Sequence, residues 1–258
     1  VIRVPTAVRL LATPVAVAIA LLVLYIAVGK QTDPLSVTAL TNAEDATSAH
    51  AFDSKVVEAL LRHLRLVGIS AVLVLLIGIP LGIVLTRTRS RIVSLLLNGI
   101  FSAGQAAPVI GVFVLLVAIF DLKGWVPYAG LTLYAVLPVM RNTVEGIRNV
   151  DPGLVDAARG QGFSRAQVLT RVELPLAVPI ILSGVRTALV LLVGTATLAT
   201  FINGGGLGNI INDGIKNQRD AVLLTGAVTA ALLAVLIDWI AGLAERYMSP
   251  KGLRGESA

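Results

Sequence analysis

Residues 66–86, LVGISAVLVLLIGIPLGIVLT, contain no charged side chain. An uncharged apolar run of about 20 residues has the length of a helix that crosses the hydrocarbon core of a bilayer. A spanning segment must be helical or part of a closed barrel, because no water is present to satisfy its backbone N–H and C=O groups. Five further runs share this character, at about 8–29, 92–120, 127–146, 176–201 and 221–244, the third being interrupted near AGQAAP. The fold class expected is therefore an all-α integral membrane protein with about six transmembrane helices. Composition agrees: 56% of residues are hydrophobic and 14% charged, with a mean hydropathy of +0.87, far from the balance of a soluble domain. Pro80, Pro108, Pro138 and Pro179 fall inside spans, where neighbouring helices re-satisfy the freed backbone groups.

The net charge of +6 and isoelectric point near 10.1 would suggest a nucleic-acid partner in a soluble protein. Here the basic residues gather in the loops that one side of the membrane would hold, as the positive-inside rule requires. Arg87, Arg89 and Arg91 occupy one such loop, and Arg141, Arg148, Arg159, Arg165 and Arg171 lie in or beside another. This excess places both termini in the cytoplasm. There is no cysteine, which removes disulfides and thiolate metal sites. The first run is too long for a signal sequence and has no clear cleavage site, so it reads as a retained span. Residues 30–55 read as an irregular external loop, and VVEALLRHLRL after them as an amphipathic lead-in with an interfacial His63. The organisation expected is 1–65 as first span, loop and lead-in, then 66–258 as a core with a cytoplasmic elbow at 147–175.

That elbow is the most informative segment. VDPGLVDAARGQGFSRAQVLTRVELP reads as two short helices and a sharp turn. Asp151 suits the N-cap of the first helix, with Pro152 at its first position. Gly162 suits the left-handed position just beyond its end. Ser164 and Gln167 have capping-box spacing, and Phe163 and Val168 that of a hydrophobic staple. Pro175 is expected to stop the second helix. Ala157 and Ala158 leave one face flat enough for another protein's backbone. A plain connecting loop is the simpler alternative, and tethering between two spans argues against a DNA-reading helix pair.

The run Asp156-Ala157-Ala158, three residues, Gly162, nine residues, Val172, one residue, Leu174-Pro175 resembles the EAA motif of type I ABC importer permeases. The family pattern is Glu-Ala-Ala, three residues, Gly, nine residues, Ile-x-Leu-Pro. Spacing is identical, and the departures are Asp for Glu at 156 and Val for Ile at 172. The resemblance extends over most of the chain from about residue 56. YAVLPVMRNTVEGIRNVDPGLVDAARGQG, VELPLAVPIILSGVRTALV and GTATLATFINGGGLGNII are similar to the osmoprotectant branch, which imports glycine betaine, choline, carnitine or proline betaine. The resemblance implies a non-enzymatic permease subunit in the cell membrane, with Asp156, Ala157, Ala158, Gly162, Leu174 and Pro175 coupling it to an ABC ATPase subunit. It also implies a separate extracytoplasmic solute-binding protein and a second permease copy, identical or different. ATP and Mg would be bound by the partner ATPase, and this chain would hold no cofactor. Another small solute, such as an amino acid or an ergothioneine-like betaine, would fit the same elbow.

The remaining signals are consistent with that reading. No G-x-x-x-x-G-K-[ST] phosphate loop occurs. GGGLG at 204–208 does not complete G-x-G-x-x-G, because Asn209 follows; it reads as a flexible external turn, free to meet the binding protein or simply to reverse the chain. Arg186 and Asp238 lie inside spans at similar depth, and intramembrane charges pair or line a pathway. They are expected to pair with each other or to line the inward cavity. Gln105 and Asn142, with Thr143, Thr195 and Thr197, are candidates for the translocation path or for interhelical hydrogen bonding. Aromatics form 5% of the chain, too scattered for the cage that holds a quaternary ammonium. A stand-alone ion-coupled carrier would need inverted repeats, and none is visible. No H-E-x-x-H marks an intramembrane metalloenzyme or other metal centre.

Overall fold

The structure is a computed structural model that describes residues 12–20, 23, 49–88, 96, 99, 100, 104 and 106–248. Among these residues every regular element is a helix. Residues 12–20 are helical, within the first expected span, most of which lies outside the described residues. The ordered elements after it are α1 (Ala49–Arg87), α2 (Val109–Phe120), α3 (Val126–Arg148), α4 (Pro152–Gly160), α5 (Arg165–Val168), a π-helical turn (Leu169–Glu173), α6 (Leu174–Ala196), a 3-10 turn (Leu198–Ile202), α7 (Leu207–Lys216) and α8 (Asp220–Met248).

Three helical stretches among the described residues are long and apolar enough to cross a membrane: Lys55–Arg87, Arg165–Ala196 and Asp220–Met248. They correspond to the second, fifth and sixth expected spans. Helix α2, from the third, is a shorter apolar helix that begins directly after Pro108, at the expected interruption. Helix α3 covers the fourth span with 23 residues. In its apolar part Val126, Leu131, Ala135 and Val139 have no exposed surface. Its polar end, from Arg141, keeps it below the hydropathy of a lipid-facing span.

Two expectations about element boundaries are corrected. The amphipathic lead-in and the second span form one helix of 39 residues, about 58 Å long at ~1.5 Å per residue. It runs without a break across residues 65 and 66, and its helical start at Ala49 replaces the end of the loop expected through residue 55. Pro175 does not stop a helix either. The Leu174 N–H bonds back to the Leu169 carbonyl, an i→i−5 bond, and the chain runs on into α6. A π turn adds a residue to the ladder just ahead of the proline. The widened backbone there relieves the clash that Pro175 would make with the carbonyl four residues earlier.

The chain divides into two compact units, the first formed by 1–70, 109–131 and 190–239, the second by 71–108, 132–189 and 240–258. In the first unit, α1 packs on the segment that joins α6 to α7. The first residues after α6 tighten to i→i−3 bonding, with the Thr197 N–H turned to the Gly194 carbonyl. The Val193 carbonyl accepts instead from His63, whose Nε2 lies 3.1 Å away. A carbonyl can only accept, so Nε2 carries the proton. His63 has no exposed surface, which corrects the interfacial position expected for it. The adjoining Gly-rich loop is corrected as well. Residues 204–208 are buried, the Gly204 carbonyl accepts from Arg62 Nε at 3.1 Å, and Gly205 and Gly206 have φ of 78° and 84°. A Cβ on Gly205 would lie 2.4 Å from the Arg62 side chain. Gly205 and Gly206 are needed here because the backbone turns left-handed directly against α1, a conformation other residues adopt only at a cost, while a Cβ on Gly204 would lie 2.7 Å from the Ala199 carbonyl oxygen.

The second unit is built on close helix contacts. Gly78 and Gly82 of α1 face α3: a Cβ on Gly82 would sit 2.6 Å from Thr143, and one on Gly78 3.1 Å from Val139. This G-x-x-x-G spacing lets two helix backbones approach, which in lipid is the main source of helix association. On the other side of α3, Asn142 Nδ2 donates to the Ile180 carbonyl of α6 at 3.2 Å. Ile147, Ala177 and Ile181 form the buried cluster below, with Ile79, Ile83, Leu174 and Val185 packed around it.

Candidate functional site

The elbow of residues 147–175 lies wholly in the second unit. Asp151 caps α4 by accepting from the Gly153 N–H at 2.8 Å, with Pro152 at the first position. The helix closes in a Schellman motif: the Gly162 N–H bonds to the Arg159 carbonyl at 2.9 Å and the Phe163 N–H to the Ala158 carbonyl at 3.1 Å. Gly162 adopts φ 85°, the left-handed geometry this motif requires. The capping box at the start of α5 is complete in both directions, Gln167 N–H to Ser164 Oγ at 3.3 Å and Ser164 N–H to Gln167 Oε1 at 2.8 Å. Arg171 then lies over the Phe163 ring, 5.8 Å from its centroid, and Val168 is buried. Both ends of α4 and the start of α5 are thus capped locally, and α5 runs on without an end into α6, which makes the turn stiff despite its exposure.

The elbow is fixed to the end of α1 by a fork–fork ion pair. Arg87, the last residue of α1, donates to Glu173 Oε1 from Nη1 at 3.2 Å and to Oε2 from Nη2. Glu173 is buried and Arg87 about half exposed. Two parallel N–H···O bonds fix angle as well as distance. A cavity of about 930 Å³ opens beside the pair, bordered by Arg159, Phe163 and Arg165 of the elbow. Asp156 is exposed and meets Arg159 at 3.5 Å, a surface pair of little energetic weight.

The two alanines separate. Ala157 is exposed, whereas Ala158 is 7% exposed and turned into the elbow. The flat face expected from both is therefore made by Ala157 with Gly153, Gly160 and the half-exposed Leu154. Leu174 is half-buried and Pro175 exposed, at the head of α6.

The other candidate residues are placed as follows. Asn142 adopts the interhelical bonding role through Ile180. Thr143 and Thr195 bond back to carbonyls of their own helices at 2.7 Å each, and Thr197, just past the end of α6, bonds to the Gly194 carbonyl at 2.6 Å. Arg186 reaches Glu245 at 3.7 Å, and its guanidinium lies across Gly242. Asp238 sits on α8, seven residues before Glu245. Gln105 lies outside the described residues. Reading the sequence missed four participants: Leu154, Arg87 as a tie, Glu173, and the Gly78–Gly82 pair. The first follows from i, i+3 spacing with Ala157, and the last from the G-x-x-x-G pattern. The pairing of Arg87 with Glu173, 86 positions apart, has no local signal. No group of His, Asp or Glu among the described residues has the arrangement of a metal site.

Residues 78–250 match the family described as binding-protein-dependent transport system inner membrane component. The chain belongs to this family. It is a multi-pass membrane permease subunit of a transport system and not an enzyme. The choline transport system permease protein OpuBB of Bacillus subtilis strain 168 is 37% identical over 192 residues, which cover 74% of this chain and 88% of that protein. The osmoprotectant import permease protein OsmW of Salmonella typhimurium LT2 is 35% identical over 198 residues, covering 75% and 91%. Among solved structures, an inward-facing MetNI methionine ABC transporter superposes with a TM-score of 0.66 at 23% identity, covering 76% of this permease and 96% of that chain. That likeness establishes the type I importer permease fold.

Proposed function

We propose that this permease forms the membrane path of an ATP-driven importer for small osmoprotectants such as glycine betaine, choline, carnitine or proline betaine. The observation that carries the coupling half of this reading is the stiff, exposed elbow with its motif at Asp156–Pro175. Its flat face at Leu154 and Ala157 would enter a groove of a separate ABC ATPase, which binds ATP and Mg. Both termini would lie in the cytoplasm, on the side of the elbow. A loaded solute-binding protein would dock outside, and a second permease copy would complete the pore. ATP binding would draw the ATPases together, and the elbows would carry that motion into the helices.

The substrate class rests on the relatives, whose names specify choline, carnitine, glycine betaine or osmoprotectants. With a solute-binding protein as the selective element, the path itself needs no aromatic cage. Arg186 and Asp238 remain candidates for the inward path, alone or as a pair, and Gln105 and Asn142 for the translocation path.

The test is uptake of labelled glycine betaine, choline and carnitine after hyperosmotic shock, in cells lacking other betaine uptake systems. Loss of ATP-dependent uptake of at least one solute on deletion of this gene is expected. Unchanged uptake of all three would overturn the substrate assignment.

A further inference from the structure

We propose that the Arg87–Glu173 pair is the link through which the elbow moves α1, so that this pair sets how much solute is carried per ATP hydrolysed. The inference rests on the coupling reading above and adds two positioning residues to it.

Three features of the pair point this way. First, its place: Arg87 is the last residue of α1, and Glu173 the last residue of the π turn that joins the elbow to α6. The pair therefore ties the far end of one spanning helix to the root of another. Second, its form: the carboxylate is buried and both its oxygens are engaged. A site whose only need was cohesion is met as well by apolar residues, since burying a charge carries a desolvation penalty that its partner barely offsets. A bidentate fork adds direction, because rotating either residue by a fraction of a turn breaks one of the two bonds. Third, its setting: α5, the π turn and α6 make one continuous helical rod from Arg165 to Ala196, with the π turn as its one irregular point. Such turns recur inside helices at functional sites. A displacement of the elbow would bend the rod at that point unless something outside the rod resists, and Arg87 grips the turn there. The motion then passes to α1, whose Gly78 and Gly82 already lie against α3. Elbow, α1 and α3 would shift as one body.

The test uses the complete importer, permease with ATPase and binding protein, in proteoliposomes. Solute uptake and ATP hydrolysis are measured together. Glu173→Gln keeps the shape and loses the charge, and is expected to lower solute carried per ATP at least tenfold while hydrolysis continues. The exchanged pair Arg87→Glu with Glu173→Arg should recover part of the ratio. The natural chain has no cysteine, so Arg87→Cys with Glu173→Cys joined by a short bifunctional thiol reagent should recover it as well, and lose it when left unjoined. An unchanged ratio in assembled Glu173→Gln importer would overturn the proposal, as would a ratio that cross-linking does not restore. Leu154→Asp separates this from the underlying reading. If that change also leaves assembly and coupling untouched, the elbow assignment fails. If it disrupts them while Glu173→Gln does not, only the link fails.

Discussion

Asn142 of α3 lies flat over Gly184 of α6: a Cβ on Gly184 would be 2.6 Å from the Asn142 Cβ, while the Asn142 amide donates to Ile180 one turn earlier. The missing side chain and the hydrogen bond are one feature, since only glycine leaves room for the amide to reach the backbone. Gly184→Val is expected to force α3 and α6 apart and to lower the thermal midpoint of the detergent-purified subunit by several degrees. Asn142→Ala loses a single interhelical bond, worth about 0.6 kcal/mol on average in membranes, and a smaller drop is expected. Equal drops would show that the close approach at Gly184 is not limiting.

Gly162 holds φ 85° at the end of α4, and nothing lies within 4 Å of the position a Cβ would take. Backbone strain alone therefore decides the outcome there. Gly162→Ala should cost about 1–2 kcal/mol of elbow stability, and Gly162→Asn less, because Asn tolerates the left-handed region. Solute carried per ATP should fall in the order Gly, Asn, Ala. The reverse order for Asn and Ala would show that the turn is not left-handed in the working protein.

Leu154 and Ala157 are exposed on α4, while Ala158 is buried beside them. Ala157→Trp is expected to abolish co-purification of the ATPase without lowering membrane insertion. Ala158→Trp is expected to disturb the elbow itself and lower the yield of folded subunit. Size-exclusion profiles of the two variants, alone and with the ATPase, distinguish docking from folding.

His63 donates to a carbonyl that the tightening of α6 into a 3-10 turn leaves without its helical partner. His63→Leu keeps the volume and strands the Val193 carbonyl, at a cost of about 1–3 kcal/mol. His63→Gln is expected to retain more stability than His63→Leu in a denaturation series. Equal stability would show that the carbonyl finds another donor.

The elbow was legible because its determinants are local. Asp151, Gly162, Ser164 and Gln167 act within a few residues of themselves, and each adopts the role that its position in the sequence requires. The error at Pro175 was local too, but its remedy was not: the inserted π residue depends on a continuous helix on both sides of the proline. The Gly-rich loop misled for a different reason. Three glycines signal freedom when nothing surrounds them and close approach when something does, and only the position of Arg62 and His63 distinguishes these. The polar residues of the spans were ambiguous for the same reason, since a threonine that lines a path and one that bonds its own helix read alike.

That this is a permease came from the resemblance of its Asp156–Pro175 motif to a known family. Apolar length and the caps from Asp151 to Gln167 determined by themselves a spanning, helical protein with an exposed two-helix elbow. These are properties of consecutive residues, set by hydrogen bonding along the backbone and by transfer of side chains from water to lipid. The tertiary structure decided which small residues are contacts, which alanine faces outward and which arginine holds Glu173. Those depend on residues far apart in sequence meeting at distances of a few ångströms, and no local pattern encodes such a meeting.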